Sequence, residues 1–137
     1  MRRVIAVLAL SFLPGVPVAT AAESFSLYSD VCWHVEAGDL LGQRMGIMRL
    51  SDNPYVFFQE AEGDWSTPSI AKASAEDLKR GKLVFTITDR KKPVSFSGTI
   101  NEKMVTGKFD GLLDFKDKPL VVHLKRVPPS KKGAPNC

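Results

Sequence analysis

Little in this sequence points to chemistry. Its 137 residues include only two histidines and two cysteines. Neither pair has the C-x-x-C or H-E-x-x-H spacing that a zinc or metalloprotease site requires, so no metal site is expected. No G-x-S-x-G elbow, phosphate loop or dinucleotide fingerprint occurs, which leaves no catalytic residue and no cofactor to assign. The basic residues are not interleaved with aromatics, so nucleic acid is not an expected partner. The longest apolar run, Val4 to Leu13 with Ser11 its only polar residue, is about half the ~20 residues of a bilayer-spanning helix. A transmembrane segment is therefore not expected.

That short apolar run belongs to a different pattern. Arg2 and Arg3 precede it, Pro14 and Gly15 break it, and Ala19-Thr20-Ala21 follows. A positive start, a short apolar core and a small-residue A-x-A site are the parts of a secretory signal peptide. Residues 1–21 are expected to be removed near Ala21, leaving the protein periplasmic or secreted. The two cysteines, Cys32 and Cys137, lie 105 residues apart. In an exported chain an even count predicts a disulfide, because the oxidising compartment lets it form and persist. Such a bridge would tie a C-terminal strap, residues 128–137 with Pro128, Pro129 and Pro135, back to the first strands.

The remaining chain, about 115 residues, suffices for one core and one domain, residues 22–127. Its charge is unevenly placed. From Glu23 to Leu78 there are three basic and ten acidic residues, a balance of −7; from Lys79 to Cys137 there are fourteen basic and five acidic, a balance of +9. This predicts either a basic face for an anionic partner or two parts of one domain that pair their charges.

The dominant period is two, which means strands. Leu83, Phe85 and Ile87 share one phase, as do Val94, Phe96 and Ile100, then Val105, Gly107 and Phe109, then Leu120, Val122 and Leu124. Less regular segments are expected as strands at Phe25–Ser29, Val31–Val35, Met45–Leu50 and Tyr55–Gln59. Turn signals separate them at Ala37-Gly38-Asp39, Asp52-Asn53-Pro54, Glu62-Gly63-Asp64, Asp89–Pro93 and Lys116–Pro119. One helical turn is predicted at Ser74–Arg80, where Ser74 can cap, acids follow, and Gly81 ends the turn.

If Glu102-Lys103 are the centre of a hairpin, Ile100 faces Val105, Gly98 faces Gly107 and Phe96 faces Phe109. Facing glycines between phenylalanines let a sheet bend sharply, as strands must when they coil into a barrel. The expected fold is all-β: a small antiparallel meander barrel of about eight strands with at most one short helix. A β-sandwich is the alternative. The F-x-G-x-I…V-x-G-x-F pattern and the strand order resemble the lipocalin-like group of small barrels in general architecture. The Gly63-Asp64-Trp65 triplet matches the G-x-W signature of that group, though there it lies on the first strand and here it follows several.

Trp33, Tyr55, Phe57 and Trp65 are candidate ligand-binding aromatics, for a small apolar ligand in the mouth of the barrel. Arg90, Lys91, Lys92, Lys125 and Arg126 are the candidate surface for an anionic partner, expected to reach one rim. His34 and His123 could each serve as an acid or a base, the alternative being a surface or hydrogen-bonded structural role for a lone strand histidine. The functional expectation is an exported, non-enzymatic binding protein for a small apolar molecule or a macromolecule. The alternatives are a proteinaceous inhibitor of a secreted hydrolase and a weak hydrolase whose site assembles in three dimensions.

Overall fold

The computed structural model describes residues 24–50 and 53–137. The expected signal peptide and Asp52 of one expected turn lie outside these residues. In chain order the elements are β1 (Ser24–Ser29), β2 (Cys32–His34), β3 (Asp39–Leu50), β4 (Asn53–Trp65), β5 (Ser69–Lys72), α1 (Ala75–Lys79), β6 (Lys82–Ile87), β7 (Val94–Ile100), β8 (Met104–Leu113) and β9 (Pro119–Arg126).

All strands pair antiparallel in one sheet of order β5-β4-β3-β1-β9-β8-β7-β6, with β2 also on β3. The two ends of that path, β5 and β6, lie against each other, so the sheet is a nearly closed barrel. Two meanders, β3-β4-β5 and β6-β7-β8-β9, are joined by β1. That joint is narrow: β1 meets β9 only at Tyr28↔Arg126 and Ser29↔Lys125. Beyond it Val127 N–H donates to the Leu27 carbonyl. Tyr28, 1% exposed, also sends its hydroxyl to the Asn101 carbonyl at 2.9 Å in the β7–β8 turn. The first strand is thereby tied to the C-terminal meander.

The period-two phases read from β6, β7, β8 and β9 are the buried phases, and the hairpin pairs Ile100↔Val105, Gly98↔Gly107 and Phe96↔Phe109 as expected. Inward residues fill the barrel. Phe58, Phe85, Phe96 and Phe109 pack around the axis, with Phe109 centroids 4.6 Å from Phe58 and 4.8 Å from Phe96. Met45, Ile47, Leu83 and Leu124 complete the core. Each buried ring contributes about 1.5–3 kcal/mol by leaving water, and the tilted aromatic pairs add about 0.5–1.5 kcal/mol each.

Three local expectations change. The Glu62-Gly63-Asp64 turn is part of β4: Gly63 takes φ 81° within the strand, and Leu40↔Gly63 and Leu41↔Glu62 continue the ladder. Positive φ is what a glycine there permits, so a turn signal became a local twist. Strands β3 and β4 are long because each supports the other over eleven register pairs, which no single-strand periodicity conveys. Ser69–Lys72, absent from the expected strands, is β5 and pairs with Tyr55–Phe58. Helix α1 follows its sequence signal. The Ser74 side chain accepts the Asp77 N–H at 3.2 Å, and Glu76 and Asp77 occupy the first turn.

Candidate functional site

Among the described residues, aromatic rings pack against one another in the interior. A concave site lies on the outer surface, where the C-terminal strap crosses the β1–β9 joint. After Val127 the chain arcs away and returns to β2. Trp33 N–H donates to the Pro135 carbonyl at 2.6 Å, Cys137 N–H donates to the Trp33 carbonyl at 3.0 Å, and Cys32 is bonded to Cys137. Anchored at both ends, the strap forms one wall of a groove of about 700 Å³.

The floor consists of outward residues of the strands beneath. Leu27 and Ser29 come from β1, His123 and Lys125 from β9, and Arg44 from β3. Leu40, Val31 and Trp65 give apolar surface on one side, and Val127, Ala134 and Pro135 on the strap side. Four cations line it, Arg44, Lys125, Arg126 and Lys131, against one acid, Asp30. Several of these are held in place. The Arg44 guanidinium lies 3.7 Å from the Trp65 ring centroid, and its Nε donates to Gln59 Oε1 at 2.9 Å. Burial pushes the Arg44 guanidinium below its ordinary value. Arg126 lies over the Tyr28 ring at 5.6 Å.

Asp30 joins β1 to β2. Its Oδ1 accepts the Gln43 N–H at 2.6 Å, and its own N–H donates to the Gln43 carbonyl at 3.1 Å. Burial raises its carboxyl above the ordinary value, against the opposing pull of the Gln43 N–H. His123 shares the groove with Asp30 but is not hydrogen-bonded to it among the described contacts. His34 Nδ1 accepts the Ala37 N–H at 3.2 Å and serves the β2–β3 turn.

Of the four aromatic candidates only Trp65 lines the groove. Trp33 is 41% exposed and supports the strap through its backbone. Tyr55 and Phe57 lie on the outer face of β4. Phe57 covers Gly46 and stacks on Phe25, with centroids 5.9 Å apart and planes 6° apart. Lys72 lies over Tyr55 at 5.8 Å.

The five cations expected on one rim are divided. The pairs Ile87↔Val94 and Ser95↔Asp110 place the Arg90–Lys92 turn at one end of the C-terminal meander. The Met104↔Lys125 pair and the Arg126 N–H bond to the Lys103 carbonyl place Lys125 and Arg126 at the other. Antiparallel strands of similar length force this, because the two segments follow strands running in opposite directions. Arg90 is further drawn inward by Glu60, 3.0 Å away, and sits over the Phe58 ring at 6.0 Å.

Sequence reasoning missed Arg44, Lys131, Leu27 and Val127 as site residues. The strap's path brings them together, and only the Cys32–Cys137 pairing hinted at that path. Among the described residues, no group of three or more His, Cys, Asp or Glu side chains is placed to hold a metal ion. Also among the described residues, no helix is long and apolar enough to cross a membrane. Comparison with protein-family models, with curated proteins and with solved structures gives no match to this chain.

Proposed function

We propose that this is an exported, non-enzymatic binding protein that takes an amphipathic anion in the groove between its β1–β9 joint and its C-terminal strap. The observation that carries this reading is the composition of that groove: apolar walls with four cations and one acid. Its volume falls within the ~300–1,000 Å³ typical of small-molecule sites. The cations are suited to hold a carboxylate, sulfate or phosphate head, and the Leu27, Val31, Leu40 and Trp65 surfaces suit an apolar body. Arg44, pre-positioned by Trp65 and Gln59, loses little rotamer freedom on binding. Export is supported by the Cys32–Cys137 bridge, since such bonds persist in oxidising compartments.

Oleate is a suitable probe, with oleyl alcohol as its uncharged homologue. In a Trp33→Phe background the remaining Trp65 emission reports on the groove. Oleate should shift it saturably, oleyl alcohol should bind more weakly, and Lys125→Ser with Lys131→Ser should weaken oleate alone. No saturable response, or equal affinity for the two probes, rejects the reading. Hydrolysis of a p-nitrophenyl ester that disappears in His123→Ala would overturn its non-catalytic part.

A further inference from the structure

A second feature lies away from the groove, at the β8–β9 tip. The last pair of that hairpin is Leu113↔Pro119, and the connecting turn is closed from within. Asp114 Oδ1 accepts the Lys116 N–H at 2.8 Å and the Lys118 N–H at 3.0 Å. Asp114 N–H donates to the Lys118 carbonyl at 2.7 Å, and Asp117 N–H to the Asp114 carbonyl at 3.1 Å. The Lys118 and Lys116 amides hold the Asp114 carboxyl below its ordinary value. This rigid turn presents Phe115 at 91% exposure and Leu113 at 57%.

An isolated exposed apolar residue is common on protein surfaces. Here, however, the ring projects from a hydrogen-bonded turn and is flanked by lysines. Lys116 Nζ lies 5.2 Å from the Phe115 ring centroid, and Lys118 closes the same turn. The Arg90–Lys92 turn sits at this end too: a Cβ on Gly111, at the base of the hairpin, would meet the Pro93 carbonyl oxygen at 3.0 Å. Lys91 and Lys92 are exposed there. The acids of the two turns are Asp89, Asp114 and Asp117, and Asp114 is engaged with the turn's amides.

We propose that this end of the barrel is a peripheral membrane contact. Phe115 enters the headgroup region of a bilayer rich in anionic phospholipid, and Lys91, Lys92, Lys116 and Lys118 contact the lipid phosphates. An aromatic ring flanked by lysines is the side-chain chemistry of a membrane interface. Shape argues the same way. A convex tip with two apolar side chains is far smaller than the ~800 Å² per partner of a standard protein interface, whereas a bilayer accepts an inserted side chain without complementary relief. This inference is independent of the groove and of its ligand.

Cosedimentation of the exported protein with phosphatidylglycerol–phosphatidylcholine vesicles, equimolar, at low and high salt tests it. The native protein should bind at low salt, weaken at high salt, and bind poorly to phosphatidylcholine alone. Phe115→Ser should bind about tenfold more weakly, the scale of losing one buried aromatic side chain, with its melting temperature unchanged. Lys116→Ser with Lys118→Ser should lose the salt-sensitive part. Absence of binding by the native protein overturns the proposal and leaves a cleft in another protein as the place for Phe115. Native-strength binding by Phe115→Ser overturns it as well.

Discussion

Gly98 on β7 and Gly107 on β8 face each other so closely that a Cβ built on either would lie 2.8 Å from the other's Cα. The space they leave is taken by Phe96, whose Cζ would lie 3.0 Å from a Cβ at Gly98 and 2.5 Å from one at Gly107. The pair lets two strands approach at the point where four phenylalanines fill the barrel. The glycines are therefore part of how the interior comes to be solid.

Replacing either glycine with valine is expected to destabilise the fold by at least the ~1–3 kcal/mol typical of overpacking. Backbone atoms stand among the colliding neighbours, namely the Thr106 carbonyl at Gly98 and the Ser97 carbonyl at Gly107, and cannot turn aside as a side chain can. Urea unfolding is the measurement; midpoints equal to the native value for both variants would contradict this packing.

Removing the Cys32–Cys137 bridge should act on stability and on the groove together. Chain-entropy reasoning puts the stabilisation from closing a ~100-residue loop at about 4.7 kcal/mol, an upper figure. Cys137→Ser should lower the melting temperature, and the strap, left with its Trp33 backbone bonds, should yield to protease first. Titration of the native protein with a thiol reagent should find no free thiol before reduction and two after it.

Arg44→Ala should cost about 1–3 kcal/mol, because Gln59, 7% exposed, loses the guanidinium that its carbonyl oxygen accepts from. The Trp65 ring loses its cation as well, so its emission in the folded state should change. Arg44→Lys should recover only part of the stability, since one ammonium lacks the planar fork that spans ring and amide. Full recovery by lysine would show that charge alone suffices.

Asp30 should make the protein less stable as pH rises. Its folded carboxyl titrates above the ordinary value of 3.8, so the folded state binds the proton more tightly than the unfolded chain. The unfolding free energy then falls as pH climbs from about 3.8 through the folded value and levels off above it. The residue as a whole is exposed, so solvent screening keeps the effect below about 1 kcal/mol. Asp30→Asn, which retains an acceptor for the Gln43 N–H, should flatten this limb. An unchanged pH profile in that variant would show that another group produces the slope.

Alternation was enough to read the C-terminal meander. Leu83, Phe96, Phe109 and Leu124 declare their faces through the two-residue period, and Glu102-Lys103 with the facing glycines gave the hairpin register. Ser74 and Gly81 bounded the helix through backbone preferences that act within a few residues. The disulfide partners followed from their being the only two cysteines. These features are local, or have a single possible partner, so a linear reading reaches them.

The site depends on relations that sequence separation conceals. Whether Gly63 ends a strand or twists it depends on Leu40 opposite, more than twenty residues earlier. Whether Arg90 and Lys125 share a rim depends on the number and direction of the strands between them. Leu27, Arg44, Trp65 and Lys131 form one groove only because β1 pairs with β9 over two residues and the strap then recrosses that joint. The sequence determined the strand faces, the tight hairpin and the covalent tie by local sterics and alternation. Tertiary structure alone decided that aromatic rings meet in the core and that a groove forms outside it under the strap, because packing and chain path depend on every strand at once.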